Sequence, residues 1–121
     1  MASLRAVRGA TTVDADDAEQ IFKRTQELVG EMIERNELSV DDLVSIIFTA
    51  TTDLSAAFPA TAARALGLDE VPLLGASELA VSGSLPRCIR ALMHCYSDRE
   101  RSQIRHVYLE GARVLRVDLA D

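Results

Sequence analysis

One long amphipathic helix is the clearest periodic feature of this sequence, and it limits how much of any sheet can be covered. Apolar positions recur every three or four residues, the spacing of one helical face, at Ala18, Ile21, Phe22, Thr25, Leu28, Met32 and Ile33. Asp16 followed by Glu19 has the spacing of a capping box. The helix is therefore expected to start at Asp16 and to end near Asn36.

Strand-like segments outnumber helical ones. The run "LVSIIFTA" at residues 43–50 is β-branched and almost continuously apolar, which predicts a buried central strand. Strands are also predicted at residues 4–13, 70–75 and 104–115. Pro72 indicates that the second of these is an edge strand or that a strand end lies there. The segment "RCIRALMHCY" at residues 87–96 fits a helix or a strand, and its periodicity leaves both open.

The number of helices bears on assembly. Besides the long helix, the sequence predicts one short helix at residues 59–66, with Pro59 in its first turn and Gly67 beyond its end. Two helices can cover only one face of a sheet of roughly five strands. The other face would carry Leu, Val and Ile together with Arg and Tyr, so a neighbouring subunit is expected to cover it.

An arginine lies on either face of the first predicted strand. Arg8 shares a face with Leu4 and Ala6, while Arg5 shares the opposite face with Val7. The chain has twelve arginines and one lysine, which base composition or a dry site for an anionic small molecule could explain. Composition alone leaves both explanations open.

Several classes of function are disfavoured. The net charge of −6 argues against nucleic acid as a partner. No apolar run approaches the roughly 18 residues of a membrane span, and no secretion signal is recognisable, so a cytoplasmic protein is expected. The length predicts a single domain over residues 1–121, with Cys88 and Cys95 as reduced core residues.

The candidate site residues are polar groups at the ends or on the inner faces of apolar elements: Arg8, Arg64, Glu78, Arg90, Tyr108 and Arg116. No nucleophile with a neighbouring base, metal-ligand spacing or phosphate-binding glycine loop stands out. The residues by themselves thus indicate an oligomeric α/β protein with an arginine-lined anion site.

Five segments, in this order and spacing, resemble the monofunctional chorismate mutases of the trimeric pseudo-α/β-barrel type. They are "RGATTV", "ATTDLSAAFPATAAR", the glutamate of "GASELAVSG", "CIRALM" and "IRHVYLEGARVLRVDL", and the resemblance runs from about residue 4 to residue 119. It implies an α+β fold, a barrel-like homotrimer whose subunits each have a mixed five-stranded sheet with one long and one short helix on its outer face. It also implies that residues 87–96 form a strand.

The resemblance further implies an activity, the intramolecular rearrangement of chorismate to prephenate on the route to phenylalanine and tyrosine. One C–O bond breaks while a C–C bond forms, so no metal or cofactor is expected. The protein must fold a flexible dicarboxylate into a compact conformer and stabilise negative charge on the ether oxygen. Chorismate and prephenate are then the expected ligands, bound in clefts between subunits.

Site roles are implied position by position. Arg90 would lie against the ether oxygen and a carboxylate, Glu78 against the ring hydroxyl and the electron-poor ring, and Arg8 with Tyr108 against the side-chain carboxylate. The wall supplied largely across the subunit boundary would comprise Phe58, Ala60, Arg64, Leu73, Leu74 and Gly75, and the C-terminal segment with Leu115 and Arg116 would cover the cleft.

Position 75 departs from the family pattern, because many members have a cysteine there. With glycine, only the backbone can contribute a contact at this point. Two alternatives of other classes stay open on the sequence: a non-catalytic trimer that binds an anionic ligand, and an imine or enamine deaminase of similar trimeric architecture.

Overall fold

The computed structural model describes residues 1–115 in full and the backbone of Arg116. Its strands and helices are β1 (Ser3–Thr12), α1 (Ala18–Arg35), β2 (Leu43–Ala50), α2 (Pro59–Arg64), β3 (Leu73–Ser77), β4 (Cys88–Ser97) and β5 (Val107–Tyr108). Short 3-10 segments occupy Val40–Asp42, Arg101–Gln103 and Glu110–Arg116. Within the described residues, no helix is both long and apolar enough to cross a membrane.

The five strands form one mixed sheet in the order β3-β2-β4-β1-β5. β4 is antiparallel to both β1 and β2, whereas β2 pairs with β3, and β1 with β5, in parallel. This confirms the α+β class and the mixed five-stranded sheet. It also confirms the predicted strand in the segment 87–96, at Cys88–Ser97, although Arg87 lies before it at φ 47°. The short strand after Pro72 lies at an edge, as predicted.

Both helices lie on one face of the sheet, over the main hydrophobic core. Val7, Ile46, Phe48 and Met93 point from the strands into that core, where Leu28, Met32, Ala60 and Ala63 meet them from the helices. Gly9 permits this close packing, since a Cβ at Gly9 would lie 2.5 Å from Sδ of Met32. Alternate strand residues, including Arg8, therefore face the opposite side.

Among the described residues, the face away from the helices is covered only at one end. There Tyr108, Ala112 and Leu115 pack over Ala10 and Cys88. Elsewhere on this face Leu4, Tyr96 and Leu74 remain 54%, 51% and 61% exposed. We call it the open face; it carries the apolar and basic side chains that the sequence predicted for the uncovered side.

Helix α1 begins one residue later than predicted. Its N-cap is Asp17, whose carboxylate accepts from the backbone N–H of Gln20. The carboxylate of Asp16 instead accepts three hydrogen bonds from Ser55 and Ala56 in the loop before α2. The capping-box prediction for Asp16 was therefore wrong, because a contact distant in sequence recruits that side chain. The second predicted helix is also shorter, ending at Arg64 with Gly67 at φ 90° beyond it.

The strand predicted at residues 104–115 was largely wrong. Within this range only Val107–Tyr108 forms a strand, and the chain turns at Glu110, where φ is 51°, into a 3-10 segment. Gly111 fixes this turn: its N–H donates to Oγ1 of Thr12, and a Cβ at Gly111 would lie only 2.9 Å from the same oxygen. Close approach to β1, which no local pattern reveals, thus overrides the alternation.

Candidate active site

A depression of about 370 Å³ lies on the open face where β2, β4, β1 and β5 run side by side. Its lining includes Arg8, Ile47, Thr49, Arg90, Tyr108 and Leu115. Four of these six are residues that the sequence singled out. We call this depression the arginine cleft.

Strand register explains why these side chains meet. Arg90 on β4 lies opposite Ala10 on β1 and opposite Thr49 on β2, so all three share one level of the sheet. Tyr108 pairs with Ala10 from the other side of β1. Arg8 stands two residues before Ala10 and therefore points to the same face. Residues far apart in sequence are in this way brought together by strand pairing.

Glu78 follows the end of β3 and contacts Thr49 and Arg90, two residues that line the arginine cleft. Its backbone N–H donates to the carbonyl of Ala50 at 2.9 Å, which fixes the start of the loop after β3. Oε2 accepts from Oγ1 of Thr49 at 2.8 Å, and Oε1 accepts from the backbone N–H of Leu79 at 3.1 Å. Nε of Arg90 lies 3.3 Å from the same Oε2. The carboxylate is thus held in place from three directions.

These contacts favour the ionised carboxylate. The hydrogen bond from Thr49 lowers the pKa of Glu78 below its ordinary value of 4.5, and the Leu79 N–H and the charge of Arg90 add to that effect against partial burial. Glu78 is therefore a carboxylate at neutral pH. Its contacts stabilise the fold fully above the ordinary pKa, and that stabilisation is lost as the pH falls through the lowered value.

Replacing Thr49 by valine is expected to raise the pKa of Glu78 towards 4.5, because the largest of the lowering contacts is removed while the side-chain shape is kept. The measurement is a pH titration of the Glu78 carboxyl carbon by NMR. Thr49→Ser, which retains the hydroxyl, is the matched control and should leave the lowered pKa in place. An unchanged pKa in Thr49→Val would show that Thr49 does not hold the carboxylate.

Arg90 combines a buried Nε with a partly exposed side chain. Among the described residues Nε has no partner in hydrogen-bonding geometry, although Oε2 of Glu78 lies 3.3 Å away. The side chain as a whole remains 41% exposed. A guanidinium in this position can present a rigid set of donors to an anion in the arginine cleft.

Arg8 and Tyr108 differ in how they are held. The ring of Tyr108 is 8% exposed and packs with Ala10, Cys88 and Ala112, which fixes its direction. The side chain of Arg8 is exposed and makes no ion pair within the part of the chain that the structure describes. Its position is set through the backbone, whose N–H donates to Nδ1 of His106 at 2.9 Å.

The remaining predicted wall residues are not brought to the arginine cleft in a single chain. Phe58 is 77% exposed and lines, with Gly75, a second depression of about 360 Å³ beside β2 and β3. Arg64 is exposed on α2, Ala60 and Leu73 pack into or against the main core, and Leu74 lies on the open face. Leu115 does line the arginine cleft, whereas the side chain of Arg116 lies outside the described residues.

Two residues at the site went unrecognised in the sequence. Thr49 holds the Glu78 carboxylate, and its only sequence signal is a hydroxyl near the end of an otherwise apolar strand. His106 accepts from the Arg8 backbone, and its signal is position alone, two residues before Tyr108. Neither could be linked to its partner without the strand register.

Both cysteines are free and buried, as the sequence predicted. Burial raises the pKa of the Cys88 thiol, with the nearby guanidinium of Arg90 acting in the opposite direction. Burial likewise raises the pKa of Cys95. Both side chains therefore behave as small apolar groups, and Cys88 forms part of the floor beneath Tyr108.

Comparison with known proteins gives consistent matches. A family model described as chorismate mutase type I matches residues 4–119. Two curated relatives named chorismate mutase AroH are similar over nearly their whole lengths. The protein of Thermus thermophilus is 49% identical over 117 residues, which is 96% of each chain. The protein of Bacillus subtilis (strain 168) is 45% identical over 118 residues, which is 97% of this chain and 93% of the relative.

A solved structure also matches. Chorismate mutase from Clostridium thermocellum superimposes with a TM-score of 0.89 at 51% identity, covering 90% of this chain and 97% of that one. The likeness therefore extends over nearly the full chain and includes the sheet that carries the arginine cleft.

Proposed function

The chain belongs to the type I chorismate mutase family and converts chorismate to prephenate, and we propose that the arginine cleft is where this rearrangement takes place. The activity belongs to the biosynthesis of aromatic amino acids. One observation carries the proposal: Arg8, Arg90 and Tyr108 line a single depression, and an ionised Glu78 lies beside Arg90.

The chemistry requires positioning and electrostatics. Chorismate carries two carboxylates, and its side chain must fold over the ring before the C–O bond breaks and the new C–C bond forms. Arg8 and Tyr108 bind the side-chain carboxylate and hold that compact conformer. Arg90 donates to the ether oxygen, where negative charge grows as the C–O bond lengthens. Because that charge is larger in the transition state than in chorismate, the interaction accelerates the reaction.

Glu78 stabilises the positive charge that develops on the ring of the substrate. As the ether bond breaks, the ring becomes electron-poor, and a carboxylate beside it stabilises the positive character. Glu78 also accepts a hydrogen bond from the ring hydroxyl. Its lowered pKa supports this role, because a protonated acid could neither accept that bond as well nor offset the charge.

We place the complete site between subunits of a homotrimer. The lining of the arginine cleft in one chain does not include Phe58, Arg64 or Gly75. Phe58 and Gly75 line a separate depression, and Arg64 is exposed on α2. The exposed Leu4, Tyr96 and Leu74 give the open face an apolar character suited to burial against another copy. Contact between copies would bring the second group to the arginine cleft of a neighbour.

Loss of the diene absorbance of chorismate on addition of the purified protein, with prephenate as product, is the direct test. We expect turnover by a species whose native mass is three chains. Calorimetric binding of chorismate without turnover would indicate a ligand-binding protein instead. Turnover by a stable monomer would contradict the interfacial site while leaving the reaction in place.

A further inference from the structure

We propose that His106 is a positioning residue for this reaction: its imidazole holds the backbone of Arg8 and thereby aims the Arg8 guanidinium into the arginine cleft. The proposal rests on the role given to Arg8 above. It concerns a residue that need not touch the substrate and acts through the hydrogen bond from the Arg8 N–H to Nδ1 of His106, 2.9 Å long.

The pairing of β1 with β5 is short, which makes each of its bonds important. The ladder contains two register pairs, Gly9 with Val107 and Ala10 with Tyr108, and continues past Tyr108 with the N–H of Leu109 donating to the carbonyl of Ala10 at 2.9 Å. At the other end, where the ladder stops, the side chain of His106 supplies the acceptor that a backbone carbonyl would otherwise provide.

The backbone N–H of Arg8 cannot use β4, the strand on the other side of β1, as a substitute acceptor. In an antiparallel pair, the N–H and C=O of a residue point to the same neighbouring strand. Because the Arg8 N–H points towards His106, it points away from β4, where Leu92 is the register partner of Arg8. Loss of the imidazole would leave this N–H to water and free the start of the β1–β5 pairing.

The hydrogen bond between the Arg8 N–H and His106 affects where the Arg8 side chain is placed. That side chain is exposed and, among the described residues, forms no ion pair that would aim it independently. The backbone of β1 therefore sets the point from which the Arg8 side chain extends towards the arginine cleft. His106 and Tyr108 belong to the same segment, so the bond also sets the spacing between the two groups that bind one carboxylate.

The bond requires an imidazole with a lone pair on Nδ1, hence a proton on Nε2. Asparagine at this position offers Oδ1 at the same number of bonds from Cα and can accept the same N–H. Leucine has similar bulk and no acceptor. His106→Asn and His106→Leu are therefore a matched pair that separates the acceptor from the volume of the side chain.

Steady-state kinetics with chorismate test the proposal. We expect His106→Leu to lower kcat/KM about tenfold, chiefly through a higher KM, which is the scale of one lost hydrogen bond. His106→Asn should stay within about threefold of the wild type, since it retains the acceptor. Equal losses in the two variants, or a loss confined to kcat, would overturn the proposal.

A double-mutant cycle with Arg8→Ala identifies the route of the effect. If His106 acts through Arg8, His106→Leu should cost less than about twofold in the Arg8→Ala background, because the group it aims is already absent. Full additivity would overturn the His106 proposal while leaving Arg8 in its role. An Arg8→Ala variant with normal kinetics would instead contradict the proposed function at Arg8 and, with it, the His106 proposal.

A measurement on the wild-type protein covers the case in which His106→Leu does not fold. Long-range proton–nitrogen NMR of the His106 ring should show the proton on Nε2 and an unprotonated Nδ1, and the Arg8 amide should be protected from hydrogen exchange. A proton on Nδ1, or an Arg8 amide that exchanges as fast as a solvent-exposed one, would overturn the proposal.

Discussion

Arg90→Ala is expected to reduce kcat for chorismate by roughly 10²–10³-fold or more, the usual cost of removing one preorganised donor from a site of developing charge. The guanidinium lies in the arginine cleft beside Glu78, with Nε 3.3 Å from Oε2. The variant keeps the strand and loses the group proposed to meet the ether oxygen. The loss should therefore fall on kcat as well as on KM.

Arg90→Lys separates charge from geometry. The ammonium preserves the positive charge but cannot present two donors in one plane, so a substantial loss is still expected. Arg101→Ala, in the 3-10 segment Arg101–Gln103, removes an exposed arginine that does not line the arginine cleft and serves as the control. Near-normal turnover by Arg90→Ala in a folded protein would refute the role assigned to Arg90.

Two inactive variants are expected to restore activity when their chains are mixed. Arg90→Ala damages the arginine cleft, and Arg64→Glu places a negative charge in the group proposed to come from a neighbour. In trimers re-formed from an equal mixture, about a quarter of the sites would combine an intact Arg90 with an intact Arg64 from the adjacent chain. Turnover should rise from nearly none to about that fraction of the wild type.

Each variant denatured and re-formed alone is the control and should remain inactive. Arg64 is exposed on α2, so Arg64→Glu should leave the fold of the single chain intact, which circular dichroism can check. If mixed trimers form, as native mass spectrometry would show, and turnover does not recover, Arg90 and Arg64 do not serve the same site from different chains.

Sequence periodicity was informative for elements whose own apolar pattern is enough to predict their structure and burial. The run of apolar positions in α1 extends over five turns, and the continuous apolar β2 can only be central. It failed at Glu110, where the close approach of Gly111 to Thr12 turns the chain out of the strand. The capping-box spacing failed at Asp16, whose carboxylate binds a loop nearly forty residues away.

For the site as well, some features could be predicted from the sequence and others could not. Arg8, Arg90 and Tyr108 could be nominated because polar groups on inner strand faces are costly unless they have partners. The structure brings them to one depression, while their chemical roles came from family resemblance. The contact of Thr49 with Glu78 depends on how β2, β3 and β4 align, and no pattern within a single strand encodes that alignment. Under the proposed function, Phe58 and Arg64 belong to a site that a second chain completes, and local sequence encodes such a contact even less.

The ion pair between Arg90 and Glu78 affects how strongly each arginine attracts the anionic ligand before it binds. A chain of net charge −6 repels a dianion at long range. Within the arginine cleft the charge of Arg90 is already offset by Glu78, so the local pull on an approaching carboxylate comes mainly from the exposed Arg8, over a screening distance of about 8 Å. Under the proposed roles, Arg8 governs the rate at which chorismate is captured and the dependence of that rate on salt. Arg90, whose charge Glu78 offsets until the ligand binds, governs the height of the barrier to the rearrangement.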